Sequence, residues 1–256
     1  MRKDHSFEKQ LVNLDNEANV IANYVYAEMA AQYAISKSKA LLETINMTPT
    51  FWRTCFAALQ SAAYVALGRL FDTKSPYNLQ ELIASMERNL QDFSPNALAA
   101  RKRSAGFSDE ARLKKYVDEA YIPTLKDVQR IRRSVERRRL FYNRAIMPVR
   151  HRYLAHRQTY ETSHVNELYG KGKVKEMWQV AIYLHHLHQE LWNLYHNGRR
   201  PDLRVRSRYS PKIMYQKPKH GGSPHERIVG EVRKLMTILE QTAISTPPKP
   251  KSLHRT

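Results

Sequence analysis

From Phe51 to Phe71 the chain sets Phe51, Trp52, Cys55, Phe56, Leu59, Ala62, Ala63, Ala66, Leu67, Leu70 and Phe71 at spacings that cover most of a helix's circumference. A helix apolar on so many sides has to lie in the middle of a bundle, so the rest of the chain must supply helices to surround it. Thr48 can cap it, and Pro49 suits its first position, where a missing N–H is harmless.

The surrounding sequence supplies those partners. Leu11, Leu14, Ala18, Ile21, Val25 and Met29 recur at three and four, predicting a first helix from Phe7 toward Asn46 that ends before Pro49. Leu79, Leu82, Ile83, Met86 and Leu90 predict a third helix from Asn78 to Gln91. A fourth follows Ser108, and Pro123 opens another from Thr124 to Ile146, with a break or kink at Pro148. The last core helix runs from Val174 to His196, with Met177, Ala181, Leu184, Leu191, Trp192 and Tyr195 on one side and Gly198 as its stop. With only 8 glycines and no alternating strand pattern, the predicted fold class is all-α.

Beyond residue 198 the pattern changes. Residues 199–222 are basic, contain proline and lack periodicity, so they read as a linker. Ser223 and Glu226 form a capping box, and Ile228, Val232, Leu235 and Leu239 make residues 223–243 an amphipathic helix; residues 244–256 read as a disordered tail. The core domain is therefore expected over 1–198.

Cys55 is the only thiol, which excludes an intrachain disulfide and suits a buried place in a reducing compartment. No apolar h-region follows MRKDHSFEKQ, and the most apolar stretch, Thr54 to Gly68, is flanked by Arg53 and Arg69 and interrupted by Gln60. A cytoplasmic protein without stable membrane insertion is expected.

The formal charge of +19 is concentrated in two places. Residues 126–157 carry net +9 and residues 199–256 net +10, leaving the other 166 without net charge. Guanidinium groups grip phosphate oxygens in pairs, so Arg130, Arg133, Arg137, Arg144, Arg152 and Arg157 are candidate RNA contacts. Tyr142 and Tyr153 are candidate stacking platforms.

Within the first basic segment, VRHRYLAHRQ places Arg150 six residues before His156. On a helix that is about 9 Å of rise and a heading difference of ~120°, so the two would share a phosphate across a bend or between paired chains. An imidazole can take the proton of a ribose 2′-OH, and a fixed guanidinium can stabilise charge gathering on phosphorus. Such chemistry needs no metal or other cofactor. It would leave a 2′,3′-cyclic phosphate and a 5′-OH.

The two blocks FWRTCFAALQSAAYVALGRLFD, residues 51–72, and MPVRHRYLAHRQ, residues 147–158, resemble the hallmark blocks of the AbiU-like abortive-infection branch of the HEPN superfamily. The resemblance implies an antiparallel helical bundle of the HEPN type, here with a basic C-terminal extension holding one further helix. It also implies Arg150 and His156 as catalytic residues completed across a homodimer, with Arg69, Asp72 and Tyr153 in support. A prokaryotic defence or toxin role follows from it, with a cognate antitoxin protein as a partner.

Competing readings exist. The same arginines would serve a non-catalytic module binding RNA or a partner protein, and the helix over residues 223–243 would suit a membrane surface, although its apolar face lacks Trp and Phe. His185, His188 and His196 invite a metal reading, but zinc needs three or four converging ligands, and His188 falls on the apolar stripe, where a hydrogen-bonded core histidine is commoner.

Overall fold

The computed structural model describes residues 6–151, 174–216 and 224–245, and among these every regular element is helical. In chain order they are α1 (Phe7–Ile35), α2 (Lys39–Met47), α3 (Pro49–Phe71), α4 (Leu79–Arg88), a 3-10 turn (Leu90–Phe93), α5 (Pro95–Ser104), α6 (Glu110–Asp118) and α7 (Leu125–Phe141). A π-helical turn (Tyr142–Ile146) leads into α8 (Met147–Val149), followed by α9 (Val174–Asn197), α10 (Pro211–Tyr215) and α11 (Pro224–Ser245). No helix among the described residues is long and apolar enough to cross a membrane.

Contacts divide the chain into two units, Met1–Ala22 with Ser61–Tyr209, and Asn23–Gln60 with Ser210–Thr256. Helices α1 and α3 each contribute to both. This corrects the expectation of one uniformly buried α3. Its second half is buried through Ala63, Tyr64, Ala66, Leu67, Leu70 and Phe71, whereas Phe51 is 61% exposed and Cys55 only half-buried.

The first unit builds its core from Leu11, Leu14, Ala18 and Ile21 of α1, the buried half of α3, and Trp178, Tyr183, Leu184 and Leu187 of α9. Polar ends are closed by local side chains. Asn78 accepts from the Gln80 and Glu81 N–H groups at 2.9 Å, opening α4, and Asp127 accepts from the backbone N–H and hydroxyl of Thr124 at 2.9 Å, opening α7. Gly198 ends α9 at φ 56°, where a Cβ would meet Ala120 Cβ at 2.6 Å, so a side chain there would be strained twice over.

The segment expected as a free linker from residue 199 is instead docked on this unit through residue 209. Arg130 donates to the Pro201 carbonyl at 3.0 Å, the His186 ring meets the Asp202 carbonyl at 2.6 Å, and Tyr209 packs edge-on against Trp178 at 5.4 Å. The boundary expected at 198 is therefore not where the contacts divide. Of the expected tail, residues 246–256 lie outside the described residues, and α11 reaches Ser245.

The second unit gathers Ala31, Ala34, Leu41, Ile45 and Met236 into one cluster, joined by Trp52, Phe56, Tyr215, Val232 and Leu239. The single long first helix expected to Asn46 is broken here into α1 and α2. Ser36 turns its hydroxyl onto the Tyr33 carbonyl at 2.7 Å, and Ser38 accepts from the Leu41 N–H at 3.1 Å, so two short polar side chains end one helix and cap the next.

Glu28 of α1 is half-buried in this unit, and burial pushes its carboxyl up to about 7, against the opposing hydrogen bond from Gln32 at 2.9 Å. A raised carboxyl favours the folded state fully below its unfolded value, and that stabilisation is lost as pH rises from about 4.5 to about 7. Glu28→Gln should be more stable than the wild type by roughly 1–3 kcal/mol at pH 8, with little difference near pH 4.5. Urea titrations of both proteins at the two pH values test this; an equal gap at both would show that Glu28 is charged throughout.

Candidate active site

The last turn of α3 carries Gly68, Arg69 and Asp72, and the chain after α7 brings Tyr142 and Arg150 against it. Asp72 ends α3 through its N–H on the Gly68 carbonyl at 2.9 Å, while its side chain accepts from the Lys74 N–H at 3.0 Å. Its other oxygen accepts from Arg150 Nη2 at 3.0 Å. The Lys74 N–H first, and then the Arg150 guanidinium, hold the Asp72 carboxyl below the usual carboxylate range.

Tyr142 fixes the other side of the cation. Its ring is only 2% exposed and stacks on Phe71 at 5.4 Å and 19°, and its hydroxyl accepts from Arg150 Nη1 at 2.7 Å. Burial pushes the phenol upward, so it remains protonated beside the guanidinium. The expected stacking role for Tyr142 is thereby corrected, because a ring this buried offers no face to a base.

Gly68 completes the seat. A Cβ there would lie 2.4 Å from Arg150 Nη1 and 2.6 Å from Cζ and Nε, so the guanidinium occupies the space that any other residue would fill. Neither Gly68 nor the holding role of Tyr142 was singled out from the sequence. A glycine inside a helix, at about 1 kcal/mol less favourable than alanine, was the available signal of a close approach.

Of five guanidinium N–H groups, two are used by Asp72 and Tyr142, and the other three have no partner among the described residues. Among the described residues the cation is thus held on one side with donors to spare, an arrangement suited to an anionic oxygen. Arg69, expected beside Asp72 as a support for Arg150, is engaged elsewhere: its Nε and Nη2 meet the two oxygens of Glu17 at 2.6 and 2.8 Å. Arg152, Tyr153, His156 and Arg157 lie outside the described residues.

The basic helix is less bare than its sequence suggests. Arg130 lies 3.6 Å from Asp127, Arg144 meets Glu176 at 2.8 Å, Arg132 pairs with Glu87, and Arg138 lies over the Tyr183 ring at 5.1 Å. Glu87 and Glu176 are distant in sequence, so no local pattern announces them. Arg133 and Arg137 are exposed without an acidic partner among the described residues.

His188 faces Asp15 at 3.2 Å, with burial holding its imidazole below the ordinary value, and His196 lies against Trp192 at 3.9 Å. Trp192, placed by its spacing on the buried stripe, is 39% exposed. Among the described residues, no three His, Cys, Asp or Glu side chains converge as a metal site would require.

A family model described as AbiU2, of the HEPN class, matches residues 4–210. No curated protein and no solved structure matches the chain.

Proposed function

Because this all-α chain belongs to the AbiU2 family of HEPN proteins, we propose that it is a metal-independent endoribonuclease of a prokaryotic defence or toxin-antitoxin system. The observation that carries the reading is the Arg150 guanidinium seated on Gly68 by Asp72 and Tyr142, with three donors that have no partner among the described residues. A cation fixed before substrate arrives needs no reorganisation when charge builds on phosphorus.

In this reading the His156 imidazole takes the proton of a ribose 2′-OH, and the 2′-oxygen attacks the adjacent phosphorus. Arg150 donates to the non-bridging oxygens as the pentacoordinate state forms. The bond to the 5′-oxygen then breaks, and that oxygen receives a proton from a second imidazole, which a homodimer supplies as the partner's His156. The products are a 2′,3′-cyclic phosphate and a 5′-OH. Arg133 and Arg137 contribute phosphate contacts, with Arg152 and Arg157, and a cognate antitoxin protein restrains the enzyme in the cytoplasm.

The test is to incubate the purified protein with a mixed RNA pool in EDTA, using His156→Ala as the blank, and to map the ends. Cuts made by the wild type alone, ending in 2′,3′-cyclic phosphate, are expected. RNA bound but left intact in both samples would favour a binding module instead.

A further inference from the structure

The docked segment after α9 lies beside α7, and between them runs a groove of about 430 Å³ lined by Arg130, Arg137 and Arg200. It shares Arg130 and Arg137 with a hollow of about 730 Å³ whose described lining is α7 alone, and the two make one trough along α7. The segment is fixed there from both sides, by Arg130 on the Pro201 carbonyl and by the Asp202 N–H on Glu190 at 2.7 Å. A stretch that reads as a basic linker is therefore a docked wall.

Three cations on this trough, Arg133, Arg137 and Arg200, are exposed and have no acidic partner among the described residues, although Arg200 leans over the Tyr121 ring at 5.5 Å. The two carboxylates nearby are already engaged, Glu136 by Arg139 and Gln80, and Asp202 by Arg204 and Arg206. Arg133 and Arg137 lie one helical turn apart, about 6 Å along the axis, and like charges at that spacing repel. That distance is close to one step between phosphates of an extended strand. Leu140, 68% exposed, adds an apolar patch to the same wall.

We infer that this trough binds the phosphodiester backbone of the RNA strand, with Arg137 of α7 and Arg200 of the docked segment lining its groove and Arg133 lining the hollow one turn back along α7. The inference rests on RNA being the substrate, and it assigns the docked segment a part in holding it. A row of guanidiniums with no acidic partner among the described residues suits a ligand of regularly repeated charge better than a single phosphate.

Binding is measured with a short 2′-O-methyl RNA strand, which has no free 2′-OH and so cannot be cut by the proposed chemistry. The combined Arg133→Gln, Arg137→Gln, Arg200→Gln variant should bind ~10- to 100-fold more weakly at low salt. Its plot of log affinity against log salt should be shallower by about 2, from three phosphate contacts at roughly 0.7 each. A control removing the exposed Arg88, Arg103 and Arg112 loses the same charge, and should retain most of the affinity and the slope.

Unchanged affinity and slope in the trough variant, equal loss in the control, or no binding by the wild type would each overturn the inference. Cleavage does not enter this measurement. Trough-dependent binding without cleavage elsewhere would sink the ribonuclease and keep the trough, whereas cleavage with trough-independent binding would do the reverse.

Discussion

Gly68→Ala should slow RNA cleavage by about 100-fold while changing the melting temperature little, because the helix gain and the hydrogen bonds lost by Arg150 oppose each other. The added Cβ would sit 2.4 Å from Arg150 Nη1 and 2.6 Å from Cζ and Nε. The guanidinium ends a flexible side chain, so it would move rather than force the helix apart. Moving it breaks the hydrogen bonds to Asp72 and Tyr142, and a catalytic group misplaced by ~1 Å can cost on the order of 100-fold. The helix itself gains, since alanine is better than glycine by up to about 1 kcal/mol. The loss should fall on kcat more than on KM. Arg150→Ala should lose about 10²- to 10³-fold, and the double variant no more than Arg150→Ala alone, because both act on one cation. Unimpaired cleavage by Gly68→Ala would mean that the seat does not set the rate.

Trp178→Ala is expected to destabilise the protein by about 3–5 kcal/mol, read from urea midpoints. Trp178 is the largest fully buried side chain among the described residues, 2% exposed, and it packs against Tyr209 at 5.4 Å. Against a typical total of 5–15 kcal/mol, that is enough to leave a measurable unfolded fraction. Tyr209→Ala should cost less, because Tyr209 is only half-buried and an aromatic pair adds about 0.5–1.5 kcal/mol beyond burial. A small effect at Trp178 would indicate that neighbours collapse into the space.

The local devices of the fold were legible in the sequence. Pro49 opens α3, Gly198 ends α9, and the stripe of Ile228, Val232, Leu235 and Leu239 marks α11, because each depends on residues within a few positions. Leu235 is nevertheless 48% exposed, and the buried positions of α11 among the described residues are Val229 and Met236. What escaped was set by distant neighbours. The continuous apolar surface of α3 could not reveal that its two halves serve different units, nor could α7 reveal that Arg132 and Arg144 meet Glu87 and Glu176. At the site, the order of Arg69 and Asp72 on one turn was readable, but their division of labour was not. Asp72 points to Arg150 and Arg69 to Glu17, a choice made by which helix each direction faces. Tyr142 was legible as an aromatic among arginines, and only its burial turned it from a surface for bases into a holder of the cation.

The family match stops at residue 210, where the second unit takes up the chain again. Ala31, Ala34, Leu41 and Ile45 lie inside the match, yet Met236, Val232 and Leu239, which cover them, lie beyond it. A boundary drawn by kinship therefore cuts through a hydrophobic cluster rather than between folded pieces. A protein expressed only to residue 210 would carry that cluster's inner face into water, and would be expected to aggregate for reasons unrelated to its chemistry. For this chain, the shortest soluble version is set by α11, and the family outline is too short to serve as a cloning limit.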